Sequence, residues 1–422
     1  MNNKKFGLHY AWWIMISSAA IYAASVGIIV SCAGLLYNAV SLDLGIGIAD
    51  ISLYTTIMYL TITVALPFSS EILRKFDLRI VLSVAGVMNA LAFGLMGTYT
   101  SVYQFYISGF FLGIGSTFLI YGTIPLIINQ WFKIKMGTAL GAAMAFMGVG
   151  GAIFAPITGA FIETYGWRPT YIFLGIVVAV LILPFTLFVI RKNPKDLNMQ
   201  AYGLVAASDE SDGTAASVEI AGVQKRDAQK SFPFYFIIIF TGLLGLVSTV
   251  SFHVPNFVQS IGFTPTLAAT VVTCVMIGQT GGKFLLGWVN DKFGAKFAVA
   301  SGIGGGVAGI LFLLFSNNFG ILTLYAGGLL FGIGFSASTI LPPTVIRSVF
   351  GNRDYGPIYT SIMSASTLGV AVGTTLFGFI FDTTGSYYSV FIIVMIMFAV
   401  AILTSFVSIA WKQKFVQSGV YK

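Results

Sequence analysis

Apolar residues run along this chain in twelve long stretches, at about 11–40, 49–68, 79–98, 102–128, 137–162, 170–190, 233–255, 267–289, 296–316, 321–346, 356–381 and 387–411. Each is near or above the roughly 20 residues that a helix needs to cross the hydrocarbon of a bilayer. Polar and charged residues collect in the short connections between them. Lipid offers no partner to an unpaired backbone N–H or C=O, so stretches this apolar are predicted to be helices. The pattern predicts an all-α polytopic membrane protein with the lipid bilayer as its principal partner.

Composition agrees. Of 422 residues, 57% are hydrophobic and 9% charged, where a soluble domain carries about 25% charged residues. The net charge of +8 would point to nucleic acid in a soluble protein, but its distribution gives another reading. Apart from Lys283 and Arg168, every Lys and Arg lies at a terminus or in an alternate connection: Lys4 and Lys5, Arg74 to Arg79, Lys133 and Lys135, Arg191 to Lys230, Lys292 and Lys296, Arg347 and Arg353, and Lys412 onward. The opposite connections hold Asp43, Asp50, Glu163, Arg168 and Asp382. By the positive-inside rule both termini and the central loop are expected on the cytoplasmic face of the cell membrane, and no nucleic-acid partner is expected. Cys32 and Cys274 lie in apolar stretches as small hydrophobes, with no disulfide framework. The first apolar stretch is too long for a signal-peptide core and is expected to remain as the first helix. A P-loop and metal-ligand spacing are both lacking, and His9 and His253 are the only histidines; neither an enzyme nor a cofactor is expected.

Between Arg191 and Ser231 the chain turns polar and charged, which reads as a solvated linker with room for a short surface helix. Expected boundaries are therefore 1–190, 191–231 and 232–422. The flanking halves repeat each other. Gly109, Gly113 and Gly115 recur 219 residues later as Gly328, Gly332 and Gly334. The same shift carries Gly137 to Gly356, Gly150 to Gly369, Gly159 to Gly378, Glu163 to Asp382 and Gly166 to Gly385. A shift of 217 superposes Phe76 on Phe293 and Arg79 on Lys296. Internal similarity of this kind predicts two pseudo-symmetric six-helix bundles.

At Gly287-Trp288-Val289-Asn290-Asp291-Lys292-Phe293-Gly294-Ala295-Lys296 the chain resembles the signature loop of the major facilitator superfamily. The resemblance implies a conformational role for Gly287, Asp291, Lys292, Gly294, Lys296 and, in the first half, Arg79. Glycine lets helices touch, the aspartate accepts hydrogen bonds from a neighbouring helix end, and the basic residues hold the cytoplasmic surface. The first-half copy departs from the pattern: Arg74 stands where the aspartate belongs and Asp77 where the second glycine belongs. Latching is therefore expected to rest on the intact copy. Gly150, Pro156 and Gly159 resemble the family's glycine/proline motif on the fifth helix. Trp131-Phe132, Gly166-Trp167-Arg168 and Arg191-Lys-Asn-Pro194 are similar to the monocarboxylate-transporter-like branch, which includes the oxalate/formate antiporters.

Lys283 is the principal candidate for function. It is the one formal charge expected deep in the membrane, within an uncharged stretch from about 266 to 289. A cation at a helix centre costs roughly 2.5–3.5 kcal/mol, so such residues mark substrate or ion pathways. In the branch it resembles, a basic residue eight positions before the loop aspartate binds a carboxylate; Lys283 stands eight before Asp291. Eight residues place it about 12 Å from the loop, near mid-bilayer. The bland alternative is a lysine that snorkels to the surface. Gln279 lies one turn away on the same face, and Gly281 and Gly282 are expected to leave room beside the ammonium. Tyr121 occupies the place of a cavity tyrosine in the antiporter, with plain core packing as the other reading. The antiporter's second intramembrane lysine is replaced by Ile362 and the monocarboxylate transporters' helix-eight aspartate by Gln279, which favours a monoanion and removes a buried carboxylate relay for protons. His253 is grouped with Lys283, Gln279 and Tyr121 as a substrate-binding candidate, where it is either a titrating group or an interfacial ring without a transport role.

These residues predict a transporter of a monocarboxylate-type organic anion, working as a monomer by rocker-switch alternating access, with a coupled proton or counter-anion as candidate co-substrate. The alternative is an efflux carrier for amphipathic or drug-like anions, including bile-acid-like carboxylates.

Overall fold

The computed structural model describes residues 9–132, 136–197, 199–203, 222–351 and 353–417. It contains twelve helices long and apolar enough to span a membrane. They are α1 (Tyr10–Leu44), α2 (Ile48–Lys75), α3 (Leu78–Thr98), α4 (Val102–Trp131), α5 (Met136–Tyr165), α6 (Trp167–Val189), α7 (Phe232–Ser260), α8 (Pro265–Phe293), α9 (Ala295–Leu314), α10 (Ile321–Phe350), α11 (Tyr355–Thr384) and α12 (Tyr387–Gln417). Among the described residues no strand forms, and two isolated bridges, Phe132 with Tyr202 and Gly222 with Gly351, pin connecting segments. A short helix, Lys225–Gln229, leads into α7. The polar stretch 206–215 lies outside the described residues, as do Lys4, Lys5, Lys133 and Lys135.

The helices run past the apolar stretches because their ends are capped by the connections. α2 continues to Lys75, α3 begins where the Asp77 carboxylate accepts from Arg79 N at 2.8 Å, and α8 ends at Gly294, whose φ of 85° turns the chain into α9. α1 and α4 are not regular throughout. A π-helical turn interrupts α1 at Ala23–Ile28 and another interrupts α4 at Thr117–Gly122; turns of this kind recur at functional sites.

The glycine repeat corresponds to a repeated packing pattern. Gly109 and Gly113 of α4 lie on the backbone of α2 at Tyr54 and Met58, and Gly115 lies against Ala85 and Asn89 of α3. Their counterparts Gly328 and Gly332 of α10 lie on α8 at Val271 and Val275, and Gly334 lies on Gly306 of α9. The second half thus rebuilds the α2–α3–α4 contact as α8–α9–α10. Helices approach this closely only where no side chain intervenes. A Cβ added at Gly332 would fall 2.7 Å from Gln279 N, whereas one at Gly281 meets nothing within 4 Å.

Gly332→Val is therefore expected to force α8 and α10 apart, at an overpacking cost of about 1–3 kcal/mol. Gly281→Ala should leave stability unchanged. Thermal unfolding of the purified proteins in one detergent compares the two; equal midpoints would contradict the packing described.

Candidate functional site

A cavity of about 260 Å³ lies between the two sets of six helices. Val26 and Val30 of α1, Tyr59 of α2, Ile120 of α4, and Met144 and Met147 of α5 form its first-half wall. The second-half wall carries Ser248 and Phe252 of α7, Gln279 and Lys283 of α8, Phe335, Ser338 and Thr339 of α10, and Met363, Ser366, Thr367 and Val370 of α11. The two walls differ in chemistry. Among the described residues Tyr59 is the one polar-tipped residue on the first wall, while hydroxyls, an amide and an ammonium stand on the second. Two other pockets, each about 460 Å³, lie at helix ends, one beside Arg347 and one beside Arg74 and Arg79. They are larger, but neither lies between the halves.

Among the described residues Lys283 is the one charged residue lining the central cavity. Among the described residues no carboxylate pairs with it and no hydrogen bond satisfies its ammonium. Gln279, one turn earlier, lines the same wall. The glycines beside them divide the labour differently from the expectation. Gly278 and Gly282 are used up against Leu329 and Ile333 of α10, and only Gly281 has open space beside it. Tyr121 lies in the π-turn of α4, and its side chain falls outside the described part of the structure.

His253 stands apart from this cavity. It is fully buried, with Nε2 at 2.8 Å from Thr374 O and Nδ1 at 3.4 Å from the Tyr387 hydroxyl. A carbonyl oxygen only accepts, so Nε2 carries the hydrogen and donates, leaving the Nδ1 lone pair for the tyrosine. The ring also packs on Phe377 and Tyr37. Its grouping with Lys283 is not reproduced; it ties α7 to α11 and α12 instead.

The signature loop lies at the end of the bundle that carries residues 9 and 417. Asp291 accepts there from the Asn290 side chain at 3.4 Å, and Lys292 lies 5.1 Å over the Trp288 ring. Arg79 Nε is 3.8 Å from Asp77, and Lys296 is exposed in the first turn of α9. Among the described residues none of these bonds crosses between the halves, so the expected acceptance by Asp291 from a neighbouring helix end is not made in this conformation. Gly287 faces open space and touches no helix. The α5 motif is engaged: Gly150 lies against Ala23 of α1, and Gly159 against Ala269 of α8, 2.6 Å from a Cβ built on the glycine. Pro156 lies inside the same helix.

All the polar contacts between halves lie on the opposite side, from mid-membrane outward, among the described residues. Asp382 at the end of α11 accepts from Ile48 N at 3.0 Å and Ala49 N at 2.8 Å, the first backbone donors of α2. Its repeat counterpart Glu163, at the end of α5, accepts from the Thr266 hydroxyl at the start of α8. Asn38 meets Gln259 at 3.0 Å, Thr56 meets Thr375 at 2.8 Å, and Thr273 donates to Ala152 O at 3.3 Å. Each carboxylate thus serves a helix start in the other half, where orphan N–H groups and the helix dipole favour negative charge. The sequence repeat paired Glu163 with Asp382; their partners became visible only once the halves were docked. These bonds join the halves on this side, and among the described residues no hydrogen bond or ion pair joins them on the terminus side.

Twelve apolar helices in two sets of six around a shared cavity make a multi-pass membrane protein of the carrier type. Residues 14–264 and 234–416 match the model of the Major Facilitator Superfamily, and the chain belongs to that family. It is a transporter of the monocarboxylate-transporter-like kind and not an enzyme. Monocarboxylate transporter 13 of Rattus norvegicus is 24% identical over 336 residues, covering 78% of this chain and 72% of that protein. Monocarboxylate transporter 12 of Mus musculus is 23% identical, covering 82% and 75%. The sialic acid transporter NanX of Escherichia coli (strain K12) is 23% identical, covering 87% of each chain. In fold the chain is similar to the nucleoside transporter NupG, with a TM-score of 0.72 at 13% identity over 95% of this chain and 99% of that one. A bacterial homologue of the lysosomal transporter Spinster, in an inward-facing unoccupied conformation, gives a TM-score of 0.68 at 13% identity over 98% of each.

Asp382→Ala should loosen the closed side. With Cys32 and Cys274 replaced by serine and a cysteine placed at Ser52, which is buried between α2 and α11, an impermeant maleimide is expected to label the Asp382→Ala protein about fivefold faster. That is the effect of the roughly 1 kcal/mol a carboxylate contributes at a helix N-terminus. An unchanged rate would show that Asp382 does not hold this side closed.

Proposed function

We propose that this protein carries a small monocarboxylate across the cell membrane by alternating access, with Lys283 binding the carboxylate. The observation that carries the reading is the ammonium of Lys283 on the wall of a central cavity, with no counter-ion among the described residues. A buried charge without a partner is costly, and an entering carboxylate supplies one. Gln279 and the hydroxyls of the same wall offer further hydrogen bonds, and the apolar first-half wall receives the carbon skeleton. Tyr121 is assigned to the same site through its place on α4. Relatives named for monocarboxylates and for sialic acid support an acid as cargo.

Size separates the two readings of the substrate. Pockets for drug-sized ligands run about 300–1,000 Å³, and this cavity holds about 260 Å³. That favours a short acid over a bile-acid-like one. The second reading, an efflux carrier of amphipathic anions, draws on Met144, Met147 and Met363 in the lining, because methionine adapts to varied apolar shapes.

The units that rock are residues 1–190 and 232–422, joined by 191–231, and the lining comes from a single chain, so a monomer suffices. The excess of Lys and Arg on the terminus side supports a cytoplasmic face there, and on this reading the conformation described opens inward. Among the described residues no Asp or Glu lines the cavity; anion exchange, facilitated diffusion, or a proton travelling with the acid are the available couplings.

Lys283→Gln is expected to reduce uptake of the cognate acid into proteoliposomes at least 30-fold, the kinetic equivalent of the 2 kcal/mol lower bound for unpairing a buried charge. Its thermal midpoint should not fall below that of the parent. Short and bulky carboxylates compete in the same assay, and short ones should win. Undiminished uptake by Lys283→Gln would overturn the assignment.

A further inference from the structure

We propose that the turn between α2 and α3, together with the segment that follows α6, forms a binding site for the phosphate of an anionic phospholipid headgroup. The site is a pocket of about 460 Å³ at the terminus side of the first half. Five basic residues line it, Arg74, Lys75, Arg79, Arg191 and Lys192, against the carboxylates of Asp77 and Asp196.

Those carboxylates are already engaged in local turns. Asp77 caps α3 through Arg79 N at 2.8 Å, and Asp196 accepts from Asn193 N at 3.0 Å. The cations divide into engaged and free. Lys75 pairs with Glu71 at 2.7 Å, and Lys192 donates to Leu73 O at 2.9 Å. Among the described residues the Arg191 side chain reaches only the carbonyl of its neighbour Ile190, at 2.9 Å. Arg74 makes no ion pair or hydrogen bond with any described residue. Positive charge is left over, and guanidinium groups suit the oxygens of a phosphate.

The pocket has built walls. The Trp131 indole donates to Arg191 O at 2.9 Å, and the Tyr10 hydroxyl to Val189 O at 2.7 Å, so the segment after α6 is held against the bundle. Its surroundings point to a lipid and not to free phosphate. Phe76, part of the wall, is 60% exposed, and Ile80 in the first turn of α3 is 62% exposed. An acyl chain has apolar surface to lie on immediately beside the cations. Basic pockets between helix ends on the cytoplasmic side are suited to anionic headgroups.

This reading also accounts for the irregular first-half loop. Arg74 occupies the position that Asp291 holds in the second-half loop, 217 residues on. The pocket beside the second-half loop is built differently, with α10 and the start of α11 in place of a segment after the sixth helix, and Arg347 is its one cation among the described residues. One copy of the loop keeps its aspartate, and the other has exchanged it for an anion-binding arginine.

Binding of dioctanoyl phosphatidylglycerol to the full-length protein in a neutral detergent, read by native mass spectrometry, tests the proposal. Dioctanoyl phosphatidylcholine and inorganic phosphate serve as the other arms. The phosphatidylglycerol should bind, the phosphatidylcholine should not, and millimolar inorganic phosphate should neither bind nor displace it. Each juxtamembrane cation is worth about fivefold in binding, so Arg74→Gln with Arg191→Gln should weaken binding about 25-fold. Lys292→Gln with Lys296→Gln, which removes two cations from the same side elsewhere, should leave it unchanged. Equal losses in the two double variants would reduce the effect to general surface charge and overturn the site. Inorganic phosphate competing as well as the lipid would overturn the lipid assignment. Arg74 is exposed, so Arg74→Gln alone provides a folded test with an expected loss of about fivefold; no loss there would also refute the proposal.

Discussion

A lysine ammonium cannot be left in hydrocarbon, and the central architecture of this protein is compatible with Lys283 because two sets of helices enclose a cavity around it. The cost of a cation at a helix centre, roughly 2.5–3.5 kcal/mol, is met where the side chain faces water or a partner anion. Glycines in α8 and α10 bring those two helices together behind the lysine wall, and π-turns in α1 and α4 lie at the level of Val26 and Ile120 on the facing wall. The cavity is thus a product of close packing on one side and irregular helix geometry on the other.

The repeat is kept in the scaffold and broken in the chemistry. Packing of α4 on α2 and α3 is reproduced by α10 on α8 and α9, and the carboxylates of Glu163 and Asp382 serve helix starts across the interface in a reciprocal manner. Polar lining groups, by contrast, come almost wholly from the second half. Across the cavity a polar second-half wall therefore faces a mainly apolar first-half wall. The loops diverge as well: Asp291 keeps its carboxylate while Arg74 does not.

Much of the fold was legible because lipid removes alternatives. With no water to satisfy backbone groups, twelve apolar stretches had to become twelve helices, and their observed bounds differ mainly by extra turns in the polar ends, as at Lys75 and Phe350. The family was legible from the loop at Gly287–Lys296 and the glycine repeat. Within the site, Lys283 and Gln279 were visible as polar residues one helical turn apart in an uncharged stretch. The hydroxyls of Ser338, Thr339, Ser366 and Thr367 were not, since serine and threonine are ordinary in membrane helices, and those of Ser338, Thr339 and Thr367 bond their own backbone. His253 drew notice as a titratable group, but its partners Thr374 and Tyr387 lie more than a hundred residues away.

Sequence alone determined the number of spans and the doubling of the chain, because hydrophobic length and internal periodicity are local quantities. Tertiary structure decided which glycines bring helices together, which wall is polar, and that Asp382 and Glu163 close one side while Asp291 stands unlatched. Those are relations between helices far apart in the chain, and the same local sequence is compatible with either state of the halves. A carrier has to work that way: its two conformations share every residue and differ only in which distant surfaces meet.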